Sequence, residues 1–247
     1  MRWMSKHLRL LQKAFAALGV LLTSLLALLK VNTLICLCTL VVIAVLPSVV
    51  MGILLDRARR AATSALYAGD PVPFCRFNES LTNISVLHTY HYAIGLYETG
   101  EEEKAYSILT SLLGMEKPPD ISNLIYGFDL VFILKTAEEK RSMLRMISEA
   151  DFHAHYKEDH KKQECLLTLA EADILLCEGK HAEAIALLSP YLQDAYYSDC
   201  FFLLYAKAKL ALGEDEEEAR ELLSLLVSDA PSMHTGREAK RILEEIL

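Results

Sequence analysis

Residues 165–198 read CLLTLAEADILLCEGKHAEAIALLSPYLQDAYYS, and residues 199–232 read DCFFLLYAKAKLALGEDEEEARELLSLLVSDAPS. The two segments share one pattern: an apolar helical stretch, a glycine, and then a second amphipathic stretch. Gly179 and Gly213 lie 34 residues apart, and Ala184 and Ala219 lie 35 residues apart. A period of about 34 residues with two helices in each unit predicts a chain of helical hairpins.

Each part of this pattern has a physical reason. Leu169, Ala172 and Leu176 recur at steps of three or four residues, which places them on one face of a helix. Gly179 is predicted to end that helix in a left-handed backbone conformation, which costs little only for glycine. Ala184 is small at the place where the two helices of a hairpin should cross closely.

The pattern resembles that of the tetratricopeptide repeat family. The matching positions are Ala172, Gly179, Ala184 and Leu188 in the first segment, Ala206, Gly213, Ala219, Leu223 and Pro231 in the second, and Ala93, Gly100, Ala105, Leu109 and Leu112 in an earlier unit. The chain departs from the family at Lys209, where the family prefers tyrosine, and at one extra residue between Gly213 and Ala219. The resemblance implies an all-α solenoid of helix-turn-helix repeats whose first helices line a concave groove.

Charge is distributed unevenly along the 247 residues. Residues 1–60 contain eight Lys or Arg and a single acid, Asp56, which leaves 17 basic and 32 acidic residues in 61–247. A domain this acidic repels phosphate backbones, so the sequence argues against nucleic-acid binding and favours a basic protein partner.

The N-terminal 60 residues are the most apolar part of the chain. Residues 14–29 and 31–55 carry no charge, and Lys30 alone separates them. A run of 25 residues is about 37 Å long as a helix, enough to cross a hydrocarbon core of about 30 Å. We therefore predict a membrane anchor over 1–60, formed either by a helical hairpin or by a single span. Because basic residues flank both runs, the positive-inside rule favours the hairpin, with the repeats in the cytoplasm.

Two further segments follow the predicted anchor. Residues 61–84 are interpreted as a connector, because Pro71 and Pro73 disfavour a continuing helix. Residues 85–247 are interpreted as the repeat domain. Between 119 and 164 the repeat pattern is weaker, and we interpret this part as one diverged hairpin with helices near 121–135 and 137–151.

One segment suggests metal chemistry. His153, His155 and His160 lie in the sequence DFHAHYKEDHKK (151–162), and histidine is a common metal ligand. A polar loop between helices explains the same segment, and no nucleophile or phosphate-loop motif accompanies it. We therefore predict no cofactor and no enzymatic activity, and we keep a metal-dependent hydrolase as the alternative.

The family resemblance assigns the groove. Its first-helix positions correspond here to Tyr90, Ile94, Tyr97, Asp173 and Lys207, with Leu169 and Leu203 between them. The Lys and Asn residues with which some family members clamp a carboxylate tail are absent at these positions. We therefore expect the groove to bind an apolar or basic peptide or helix. The predicted function is a membrane-anchored interaction module, a scaffold or assembly factor; an extracytoplasmic folding factor is a further alternative.

Overall fold

The computed structural model describes residues 33–82, 84–113, 131–149, 160–193 and 198–246, together with residues 17, 19–21, 24, 25 and 28. These ranges are helical and contain no β-strand, which confirms the prediction of an all-α chain. The helices are α1 (Thr33–Tyr67), α2 (Val72–Glu79), α3 (Val86–Glu98), α4 (Glu102–Leu113), α5 (Ala137–Glu149), α6 (His160–Cys177), α7 (His181–Leu188), α8 (Ser198–Leu212), α9 (Glu216–Asp229) and α10 (His234–Glu245). A short 3-10 helix, Ser189–Tyr191, extends α7.

Three helical hairpins form the centre of the molecule: α3 with α4, α6 with α7, and α8 with α9. Gly179 and Gly213 have φ of +74° and +67°, the left-handed conformation predicted for them. The alanines predicted at the helix crossings have no exposed surface. They are Ala93, Ala105, Ala172, Ala184, Ala206 and Ala219. Close helix contact through these small residues is therefore observed in all three hairpins.

The turn between Gly213 and Ala219 accommodates its extra residue with a second residue, after Gly213, in the left-handed backbone conformation. Asp215 has φ +45°, the only non-glycine residue with positive φ in the described ranges, and α9 begins directly after it. Lys209 lies beneath this turn and donates a 2.7 Å hydrogen bond to the Asp215 carboxylate. Lys209 thus holds the longer turn in place.

The prediction of a membrane anchor has to be corrected. Across the described residues, the structure contains no helix with the length and apolar character needed to cross a membrane. Helix α1 does not stop at the charged segment 56–60 but continues to Tyr67, and its residues Ala58 and Ala62 pack against α2. The predicted anchor over 1–60, its span at 31–55 and the membrane location with cytoplasmic repeats are therefore wrong; most of the span predicted at 14–29 lies outside the described residues.

The predicted connector is also different in the structure. Residues 61–67 belong to α1, and residues 72–79 form α2. Pro71 is the N-cap of α2, and Pro73 lies in its first turn, where a proline removes no helical hydrogen bond. The prolines therefore start a helix where the sequence analysis expected extended chain. The first repeat begins as predicted, with the Ser85 hydroxyl capping α3 by accepting a hydrogen bond from the backbone N–H of His88.

The diverged hairpin is only partly described. Helix α5 lies within the second helix predicted there, whereas of 121–135 only residues 131–135 are described, and residues 131–133 are helical. Val131 is fully buried and packs against Ala170 of α6. Two basic residues of α5 form ion pairs with α6: Lys140 with Asp173, and Arg141 with Glu178. Helix α5 is thereby joined to α6 by both charge and apolar contact.

The C-terminal helix α10 contacts the first hairpin as well as its neighbour α9. The backbone N–H of His234 donates a 3.0 Å hydrogen bond to the carboxylate of Glu98 at the end of α3. A second contact lies between Gly69, just beyond α1, and Asp229 at the end of α9, where an added Cβ atom would approach the Asp229 carbonyl oxygen to 3.1 Å. The two ends of the helical array therefore meet.

Candidate binding cavity

Four of the five predicted groove residues surround a single cavity of about 310 Å³. They are Ile94 and Tyr97 on α3, Asp173 on α6 and Lys207 on α8. Tyr90 does not line this cavity. Its ring lies 5.4 Å from that of His91, and its side chain packs against the core between α3 and α4. The structure therefore brings the inner faces of α3, α6 and α8 together as the sequence analysis expected, without Tyr90.

Most of the cavity wall is apolar. Seven of its side chains are aliphatic or aromatic without a polar atom: Ile94, Phe132, Ile133, Leu166, Leu169, Leu203 and Leu204. Leu169 and Leu203 are almost fully buried, at 1% and 5% exposed, so their surfaces face either the cavity or the core. A small concave site with mainly apolar walls and few polar groups is the usual form of a ligand pocket.

Asp173 is already paired within the protein. Lys140 of α5 donates to its carboxylate and also donates a 2.6 Å hydrogen bond to the carbonyl oxygen of Val131. The Lys140 side chain is 4% exposed, so its charge is compensated by Asp173 rather than by water. Asp173, which was predicted as a groove residue, therefore lines the cavity with its charge already paired.

Lys207 is paired in the same way. Its ammonium lies 3.0 Å from the carboxylate of Glu238 on α10, and Arg241 contacts that carboxylate at 2.8 Å. These two cations hold the pKa of Glu238 at about 2, with the Arg241 hydrogen bond as the larger cause. Glu238 stays ionised at neutral pH, and Lys207 links α8 to α10.

Tyr97 is a polar residue of the cavity wall that can donate a hydrogen bond. Its ring stacks on that of His234, with the centroids 4.4 Å apart and the planes at 27°. Burial, together with Cys200 and the nearby carboxylates of Glu98 and Asp173, raises the pKa of Tyr97 well above its usual value. The hydroxyl therefore remains protonated and can donate a hydrogen bond.

The sequence analysis missed three polar residues of the wall. Cys200 of α8 lines the cavity, and burial raises the pKa of its thiol to about 12, so it is not a thiolate at neutral pH. His234 and Thr235, at the start of α10, also line the cavity. The repeat pattern assigned groove positions only within hairpins, and α10 lies beyond the last one, so no repeat register pointed to it.

The histidine cluster lies almost wholly outside the described residues. His153 and His155 are not described, and His160 is the first residue of α6. Among the side chains that the structure describes, no group of three or more His, Cys, Asp or Glu residues is placed to hold a metal ion. The hydrolase alternative therefore gains no observation from the structure.

Comparisons of this chain with protein-family models, curated proteins and solved structures found no significant match. The resemblance to tetratricopeptide repeats therefore rests on the residues of the hairpins themselves and stays a prediction.

Proposed function

We propose that this chain is a protein-interaction module that binds an apolar side chain of a protein partner in its inner cavity. The observation that carries this proposal is the convergence of Ile94, Tyr97, Asp173 and Lys207, from three separate helices, on one apolar cavity. In the manner of a tetratricopeptide protein, such a module acts as a scaffold or assembly factor rather than as an enzyme.

The size of the cavity limits what enters it. The cavity has a volume of about 310 Å³, at the small end of the range for ligand pockets, so it suits one or two side chains better than a whole helix. Most of the partner therefore remains outside, and an anchor residue fills the cavity, as is common for the residues that dominate binding energy.

Filling the cavity tests the proposal. We expect Ile94→Trp to abolish co-purification of the partner obtained with the tagged wild-type chain, because the larger ring occupies the anchor site. Ile84→Trp is the matched control, since Ile84 is 66% exposed and lies away from the cavity. The helical circular dichroism of both variants should equal that of the wild type.

A partner that binds the wild type and the Ile84→Trp variant but not Ile94→Trp supports the proposal. A partner retained by a folded Ile94→Trp variant contradicts it and moves the binding surface to another face of the array.

A further inference from the structure

We infer that the cavity selects a residue with an uncharged, aliphatic side chain, whose flanking backbone amide carbonyl accepts a hydrogen bond from the Tyr97 hydroxyl. This inference rests on the proposed function, because it concerns the same cavity and specifies the chemistry of the anchor. Three observations carry it: the volume and apolar wall, the internal pairing of the charged groups, and the neutral Tyr97 hydroxyl.

Volume sets the size of the guest. A volume of about 310 Å³ lies at the small end of the range for ligand pockets, which favours a guest of about one residue over a larger ligand. A leucine side chain with its flanking amides is a guest of that size. Leu169, Leu203 and Phe132 provide aliphatic and aromatic contact surface for such a group, and its transfer from water is favourable in proportion to the apolar area buried.

Charge excludes ionised guests. The carboxylate of Asp173 is paired with Lys140, and that of Glu238 with Lys207. The other acid that lines the cavity, Glu98, accepts a hydrogen bond from the backbone of His234. A cation or anion entering the cavity would lose its hydration and find each opposite charge already engaged, which is costly. Of the apolar or basic partners expected from the sequence, we therefore retain a partner whose anchor residue is neutral.

A hydrogen bond from the Tyr97 hydroxyl would orient the bound residue in the cavity. The hydroxyl is a neutral donor at the cavity wall, beside the apolar side chains of Ile94, Leu169 and Leu203. An amide oxygen of the guest would accept a hydrogen bond from it, which a purely hydrocarbon guest cannot do. The stack on His234 holds the tyrosine ring in place from α10, so the donor position is fixed by the contact between α3 and α10.

Three blocked amino acids test this chemistry in titrations of the full chain followed by methyl NMR. N-acetyl-leucinamide is neutral. N-acetyl-leucine carries a carboxylate in place of the carboxamide and is an anion at neutral pH, and N-acetyl-lysinamide is a cation of similar length. We expect the leucinamide to bind at least tenfold more tightly than either charged probe. Tyr97→Phe should weaken it by roughly three- to tenfold, the effect of one lost hydrogen bond, whereas Tyr106→Phe, at an exposed tyrosine, should not.

Ile94→Trp should eliminate leucinamide binding and Ile84→Trp should preserve it. If Ile94→Trp loses its helical signal, Thr235→Trp fills the cavity from α10 instead. The inference is overturned if the leucinamide does not saturate the wild type, if a charged probe binds as tightly, or if a folded cavity-filling variant still binds it. The proposed function fails separately, when the partner binds the folded Ile94→Trp variant. Leucinamide binding combined with that failure identifies the cavity as a small-molecule site.

Discussion

Arg237 in the first turn of α10 donates a 2.7 Å hydrogen bond to the backbone carbonyl oxygen of Glu98, the last residue of α3, across 139 residues of sequence. In return, the Glu98 carboxylate accepts from the first N–H of α10. Each helix thus satisfies a terminal group of the other, and the negative end of α3 faces the positive end of α10. This reciprocal contact forms the wall of the cavity that carries His234.

Removing the arginine should loosen that wall. Arg237 also donates to the carbonyl oxygen of Ser232, so Arg237→Ala leaves two carbonyl groups without their charged donor. We expect the free energy of unfolding to fall by about 1.5–3 kcal/mol, measured by urea denaturation. Lys240→Ala on the same helix is the control, because its pair with Glu244 is exposed and 3.8 Å long. Equal losses of unfolding free energy in the two variants would contradict a stabilising role for the contact between α3 and α10.

Acid should weaken the link between α8 and α10. The pKa of Glu238 falls from 4.5 to about 2 in the folded protein, so its ionised form stabilises the fold above pH 4.5. That contribution is lost as pH falls from 4.5 toward 2. Glu238→Gln should therefore lower stability at pH 7, and the difference from wild type should shrink across this window.

Denaturation at pH 7, 4 and 3 measures the effect. Glu244→Gln, at an exposed carboxylate of the same helix, should show little change in this difference. A Glu238→Gln difference that is constant with pH would refute the ion pair.

Two helical glycines should respond in opposite ways to alanine. At Gly236 an added Cβ atom would lie 2.0 Å from the carbonyl oxygen of Ala230, so α10 would have to shift. At Gly52 of α1 nothing lies within 4 Å of the added atom. We expect Gly52→Ala to raise stability by up to about 1 kcal/mol through helix propensity, and Gly236→Ala to lower it. The melting temperatures of both variants test this prediction. A Gly236→Ala variant more stable than the wild type would contradict the close approach of Gly236 to the carbonyl oxygen of Ala230.

The hairpin crossing should resist enlargement. Ala184 is fully buried against Leu175 and Ala208, so Ala184→Leu adds atoms to a filled space. We expect a loss of about 1–3 kcal/mol. Ala182→Leu, exposed on the same helix, is the control and should change the melting temperature little. Equal melting temperatures for the two variants would show that the helices cross elsewhere.

The features that the sequence predicted are those encoded by short-range spacing. The turn glycines and the buried alanines of each hairpin follow from the helical period within one unit, whereas the groove positions Ile94 and Tyr97 were assigned by the family resemblance. Each hairpin can therefore be predicted by itself.

The features that the sequence analysis missed depend on how several hairpins pack together. The contact between α10 and α3 results from the packing of all the hairpins, and no local sequence pattern encodes it. The pairs of Asp173 with Lys140 and of Lys207 with Glu238 were not predicted either, since each joins different helices. Tyr90, near the start of α3, does not line the cavity and packs against the apolar cluster of α3 and α4.

The meeting of α3 and α10 has a consequence for how such a chain can evolve. Open solenoids gain and lose repeats easily, because each unit contacts only its neighbours. Here an inserted or deleted hairpin between α4 and α9 would carry Arg237 away from Glu98 and remove one wall of the cavity. The number of repeats is therefore fixed by geometry, and divergence is confined to substitution within units and to the length of their turns, as at Asp215.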